Sequence, residues 1–85
     1  MNTSPTTPDI AATIAEVWAR LLDLDEVPTE ANFFELGGRS GEFVRAALEI
    51  EDRYGIELSL RDFFDAPTVA ALTDRVVTEL SRSRA

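Results

Sequence analysis

An 85-residue chain with 45% hydrophobic and 28% charged residues holds one domain with one modest core, and no apolar run approaches the ~18 residues that a membrane span needs. Its formal charge is -8, eight arginines against sixteen Asp and Glu, so a phosphate backbone would repel it and a partner with a basic patch would be steered towards it. Cys, His and Lys are all missing, which excludes disulfides, thiolate nucleophiles, zinc sites built on His or Cys and Schiff-base lysines, and leaves only carboxylates for general-base work.

The N-terminus, MNTSPTTP, has neither the basic flank nor the apolar segment of a signal peptide, so the expected compartment is the cytoplasm. Residues 1–7 read as a polar, flexible arm. Thr7 followed by Pro8 is a helix-start pair, a side-chain cap ahead of a proline in the first turn. Ile10, Ile14, Val17 and Leu21 follow at helical spacing, and Trp18 and Leu22 widen the stripe, which predicts a first helix over residues 8–22. Residues 23–39 lose that period, and within this stretch Asp23, Asp25, Glu26, Glu30 and Glu35 precede its one basic residue, Arg39. An ordered loop this long in a small domain needs anchors, and Phe33, Phe34 and Leu36 are expected to serve, inserted into the core. The acidic DLDE at its start fails as a calcium loop, because Val27 takes the fifth ligand place and no Gly follows.

A second helix is predicted from Ser40 to Tyr54, with Gly55 behind it as a left-handed cap. Its buried stripe is Phe43, Ala46 or Ala47, Ile50 and Tyr54. Ile56 and Leu58 form a short extended link, and Ser59 with Asp62 fits a capping box that opens a brief helical turn, SLRDFF. Pro67 and Thr68 start the last helix, whose stripe is Val69, Leu72, Val76 and Leu80, with Arg75, Arg82 and Arg84 suiting its C-terminal half. The class is therefore all-α: three main helices and one short helix, with a long first loop.

Ser40, in FFELGGRSGEF, is the residue that most needs explaining. A nucleophile elbow requires Gly-x-Ser-x-Gly after a strand, with a histidine elsewhere; here Glu42 breaks the pattern and there is no histidine. A phosphate-binding P-loop requires a lysine, which is also missing. A helix cap is sound, since Ser is a favoured cap and Gly37 and Gly38 permit a turn before it. A fourth reading uses the same geometry: a helix start offers free N–H groups and a positive dipole end, so a serine exposed there is a good acceptor for a phosphate ester made by another enzyme.

NFFELGGRS, residues 32–40, resembles the signature of the peptidyl carrier domains of nonribosomal peptide synthesis, which commonly read Asn or Asp, Phe-Phe, any residue, Leu-Gly-Gly, His or Asp, Ser. The likeness continues through YGIELSLRDFFDAPTVAAL, residues 54–72. The resemblance implies a four-helix bundle of the acyl carrier protein type, with the arm at 1–7, the carrier domain at 8–82 and a tail at 83–85. It implies that Ser40, flanked by Gly37, Gly38 and Arg39, receives 4′-phosphopantetheine from coenzyme A through a separate phosphopantetheinyl transferase. The thiol of the arm would hold an aminoacyl or peptidyl thioester, so the chain would be a carrier and not an enzyme. Implied partners are that transferase, an amino-acid-activating adenylation enzyme, and condensation, thioesterase or tailoring enzymes; neither nucleic acid nor membrane is implied, and the carrier would be a monomer. Gly-Gly before the serine favours the amino-acid branch, since fatty acid and polyketide carriers more often show Asp-Ser-Leu. An acyl carrier is the alternative within the class, and an unmodified acidic helical interaction module the alternative outside it.

The chain departs from the family just after the serine. Gly41 stands where Leu, Ile or Met is usual, Glu42 where Leu is frequent, and Phe43 where Ala is frequent, while Ala46 falls where the family often has Leu. Phe43 and Ala46 lie one turn apart on the same side, a swap that roughly conserves core volume. Gly41 removes an apolar side chain beside the serine and costs up to about 1 kcal/mol of helix stability relative to Ala. A non-standard set of partners, or a loosened helix start, is expected, and Gly41, Val44, Arg45, Leu48 and Arg61 are the candidate partner face. The Arg39 guanidinium has four readings: paired with the phosphate of the arm, with Glu42 or with Glu35, or solvated with no fixed partner.

Overall fold

The first helix, α1 (Thr7–Leu22), is capped by Thr6 and not, as the sequence predicts, by Thr7. Thr6 is extended, and its Oγ1 accepts a hydrogen bond from the Asp9 N–H at 3.2 Å. Pro8 brings no N–H of its own, so at the second helical place it leaves Asp9 as the donor that a cap three residues upstream can reach. The next amide, Ile10 N–H, already bonds the Thr6 carbonyl at 2.9 Å, which closes the alternative of capping from Thr7. In the computed structural model residues 6–65 and 67–83 are described, with the backbone alone for Leu60, Asp62, Phe63 and Ser83. The flexible arm expected at 1–7 lies outside them as far as position 5, and the tail expected at 83–85 lies outside them from position 84.

The second helix, α2 (Ser40–Tyr54), has the predicted bounds, and Gly55 closes it in the left-handed region at φ 65° with its N–H on the Glu51 carbonyl. A short α3 (Leu60–Asp65) begins directly after Ser59; the expected Ser59–Asp62 capping box rests on an Asp62 side chain outside the described part. The last helix, α4 (Val69–Ser83), starts behind Pro67 and Thr68 as expected, with Thr68 Oγ1 accepting from the Ala71 N–H at 3.1 Å. Among the described residues no helix is long and apolar enough to cross a membrane.

The core follows the predicted stripes. Helix α1 packs against α4 and α2. Ile10, Ile14, Val17 and Trp18 of α1 meet Phe43, Ala46, Ala47 and Ile50 of α2 and Val69, Leu72 and Val76 of α4, with Ile56 and Leu58 of the link added below. The stripe ends Leu21, Leu22, Tyr54 and Leu80 are only half-buried against this cluster. Each large side chain withdrawn fully from water contributes roughly 1.5–3 kcal/mol. Without cysteines, that packing is what holds the chain together. Outside, Arg20 of α1 pairs with Glu49 of α2; both are substantially exposed, so the pair contributes little.

The long loop is sewn to the start of α4. Phe33 is fully buried, while Phe34 and Leu36 are half-buried against the core, so the three anchors expected there do insert. The backbone adds ties that the sequence does not advertise. Asn32 and Thr68 form an antiparallel bridge, the Phe33 N–H donates to the Pro67 carbonyl at 2.8 Å, and the Ala70 N–H donates to the Thr29 carbonyl at 2.9 Å. The last bond satisfies one of the first-turn amides of α4 that has no partner within its own helix. Asn32 Oδ1 accepts from the N–H groups of Phe34 (2.8 Å) and Glu35 (3.3 Å), which turns the chain towards the two glycines.

Candidate functional site

Gly37 and Gly38 have different jobs. Gly37 sits at φ 98°, a left-handed conformation that costs an L-residue strain. Gly38 is required by packing: a Cβ there would lie 2.2 Å from Phe33 Cε2 and 2.4 Å from Cδ2. The sequence reading assigns both glycines to the turn; the second is instead the place where the backbone presses against a buried ring. The Gly38 N–H also donates to the Phe33 carbonyl at 3.1 Å, and the Gly37 N–H to the Phe34 carbonyl at 3.2 Å.

Beyond Gly38 the chain straightens. Arg39 is extended (φ -111°, ψ 164°) and occupies the N-cap place of α2. Ser40 is therefore the first residue inside the helix, which overturns the reading of Ser40 as its cap. Guanidinium groups carry no acceptor, so Arg39 cannot cap with its side chain. The reciprocal half of a capping box does the work: Glu42 Oε1 accepts from the Arg39 N–H at 2.9 Å. This gives a physical reason for Glu42 standing where the family often has Leu, and it places a carboxylate in the first turn, where the helix dipole favours it.

Ser40 is left exposed, and its hydroxyl makes no hydrogen bond among the described residues. It stands at the positive end of a 15-residue helix, beside first-turn amides that lack acceptors within the helix. Gly41 is exposed, and a Cβ built on it would meet nothing within 4 Å, so space opens on that side of the serine. The Arg39 guanidinium is exposed, and it forms no ion pair with Glu42 or Glu35 among the described residues. This arrangement suits a covalent phosphate ester on Ser40 Oγ: the hydroxyl is reachable, the field favours an anion, and nothing nearby must be displaced. No cluster of metal-ligating side chains occurs among the described residues.

The expected partner face is only partly assembled on one element. Gly41, Val44, Arg45 and Leu48 share one side of α2; Val44 is half-buried, Arg45 is exposed, and Leu48 is 58% exposed. Arg61 is exposed on α3. That helix reaches the α2 side through Phe64, whose ring lies 5.1 Å from Phe43 and stacks on Phe34 at 5.8 Å and 5°. Phe64 itself is 46% exposed, a large apolar surface that the sequence reading overlooks. Its one signal is a second Phe-Phe pair, at 63–64, matching the pair at 33–34 in the loop it packs against.

Comparison with known proteins agrees with this geometry. A family model described as "Phosphopantetheine attachment site" matches residues 12–76. Phosphinothricin tripeptide synthetase PhsB of Streptomyces viridochromogenes is 43% identical over 84 residues, which is 98% of this chain and 7% of that protein. The chain thus spans a small fraction of the curated relatives it matches. A peptidyl carrier protein solved in solution as a prototype for the peptidyl carrier domains of modular peptide synthetases superposes with a TM-score of 0.74 at 32% identity, covering 89% of this chain and 99% of that one. The peptidyl carrier protein solved with the phosphopantetheine transferase Sfp and coenzyme A superposes with a TM-score of 0.78 at 29% identity, over 92% of this chain and 94% of that one. A helix start built around an exposed serine, the four-helix architecture and these matches together make the chain a member of the phosphopantetheine-attachment family and, within it, of the peptidyl carrier domains.

Proposed function

We propose that Ser40 is the residue that takes the 4′-phosphopantetheine arm, and that the loaded chain carries an aminoacyl or peptidyl group for nonribosomal peptide or related natural-product synthesis. The Ser40 hydroxyl carries this reading: exposed, unbonded, and standing at the start of α2 on a backbone held by Gly37, Gly38 and Glu42. In the transfer, Ser40 Oγ attacks the coenzyme A phosphorus that bears the pantetheine. The Oγ–P bond forms as the P–O bond to the 3′,5′-ADP portion breaks, and the serine proton passes to a base of the transferase. Once attached, the arm supplies the thiol that this cysteine-free chain lacks. The chain's own contribution is to hold the hydroxyl clear of the surface and to present α2 to other enzymes. A chain in which Ser40 only capped α2 would fit an unmodified interaction module, but Arg39 takes that place.

A phosphopantetheinyl transferase and an amino-acid-activating enzyme are the first partners in this reading, followed by condensation, thioesterase or tailoring enzymes. The net charge of -8 favours partners with basic surfaces. Incubated with ATP, amino acids and an adenylation enzyme that handles it, the holo chain should acquire a base-labile aminoacyl group and the apo chain none. Equal acylation of both forms would refute the carrier assignment.

Gly41 is proposed to set partner choice. Because a side chain at 41 would point into open space, Gly41→Leu should leave melting unchanged or slightly raised, by up to about 1 kcal/mol. Its effect should appear in competition: faster loading by generic synthetase enzymes and slower loading by the native one. An unchanged preference would make Gly41 incidental to recognition.

A further inference from the structure

Ser40 Oγ has no hydrogen bond of its own among the described residues, so its position is set by the backbone on either side. Downstream, Glu42 clasps the Arg39 N–H. Upstream, Phe33 is a fixed object. Its N–H is tied to the Pro67 carbonyl, and its carbonyl holds the Gly38 N–H. Its ring is boxed in by Trp18 (4.8 Å, 75°), Phe43 (5.2 Å, 60°) and Phe34 (5.7 Å, 85°). Gly38 rests directly on that ring, and the three ring atoms Cε2, Cδ2 and Cζ would all lie within 2.9 Å of a Cβ there. A flexible side chain could swing aside, but a ring held by three others cannot.

From this contact we infer that Phe33 is a positioning residue for the modification of Ser40. It sets the height of Gly38, two residues before the serine, and thereby where Oγ stands when α2 is docked on a transferase. The inference rests on Ser40 being the attachment residue. Phosphoryl transfer needs the attacking oxygen in line with the phosphorus at close range, and the transferase grips the carrier by its surface, so a displaced hydroxyl loses rate without losing binding.

The test is steady-state transfer from coenzyme A by a broad-specificity transferase to the full apo chain and its variants, below the melting temperature of each. Gly38→Ala should lower kcat by about 10-fold to 100-fold with KM changed by less than about threefold. Phe33→Leu removes Cε2 and Cζ, two of the three atoms the new methyl meets. Adding it to Gly38→Ala should therefore restore much of the lost kcat. Val76→Ala removes a fully buried side chain of α4 beyond the helix start that is tied to the loop, and should leave kcat near the starting value. Full kcat in folded Gly38→Ala, or a double variant no faster than Gly38→Ala alone, would overturn the inference. Should Gly38→Ala not fold, Phe33→Leu alone decides: kcat reduced more than in Val76→Ala supports positioning, and equal kcat in the two refutes it. Continued loading of Ser40→Ala would instead remove the attachment assignment, whatever Phe33 does.

Discussion

Phe43→Ala is expected to destabilise the domain by ~3–5 kcal/mol, the range for removing a fully buried aromatic ring. Phe43 is 2% exposed, and its ring lies 5.2 Å from Phe33, 5.2 Å from Phe34 and 5.1 Å from Phe64. It therefore joins α2 both to the long loop and to α3, and its loss should loosen all three. Small domains have roughly 5–15 kcal/mol in total, so this one change removes a large share. Ala46, 1% exposed, lies one turn further along the same buried face. Adding Ala46→Leu should recover part of the loss by refilling volume, since neighbours in one core are not additive. The recovery should be incomplete, because edge-on aromatic contacts are worth about 0.5–1.5 kcal/mol beyond their area and leucine does not replace them. Denaturant melts of the parent, the two single variants and the double variant measure both effects. Equal losses with and without Ala46→Leu would show that the two positions do not share space.

Apolar period made α1, α2 and α4 legible, and residue-type punctuation placed their ends well: Gly55 closes α2 and Thr68 opens α4 as expected. Caps were less legible where two candidates sit side by side. Thr6 and Thr7 offer the same hydroxyl, and only the place of Pro8 within the first turn separates them. Ser40 is a favoured cap and Arg39 a poor one, so local preference points to the wrong residue; Glu42 reverses the outcome from three places downstream. The sewing of the loop to α4 left no trace, because the Asn32–Thr68 bridge and the Phe33–Pro67 bond join backbone groups far apart in sequence. Gly38 shows the same limit from another side. A glycine that must turn and a glycine that must lie flat against a ring look alike until the ring is placed. Of the site, the serine and its setting were readable, while the exposed Phe64 ring beside α2 was not.

The other large effect is all-or-none. Ser40→Ala removes the only atom at the start of α2 that can form the ester, and the helix should survive it. Its N-terminus is held by Glu42 and the Arg39 backbone, not by the serine side chain, and alanine is the better helix former. The variant should therefore melt like the parent and yet accept nothing from coenzyme A. Ser59 and Ser81 are also exposed, so exposure alone does not select a serine, and the site must be located directly. The decisive measurement is peptide-level mass spectrometry of the parent chain and of Ser40→Ala, each incubated with coenzyme A and a broad-specificity phosphopantetheinyl transferase. The parent should carry one phosphopantetheine, on the peptide containing Ser40, and the variant none; a modified Ser40→Ala chain, or a parent modified on another serine, would contradict the account.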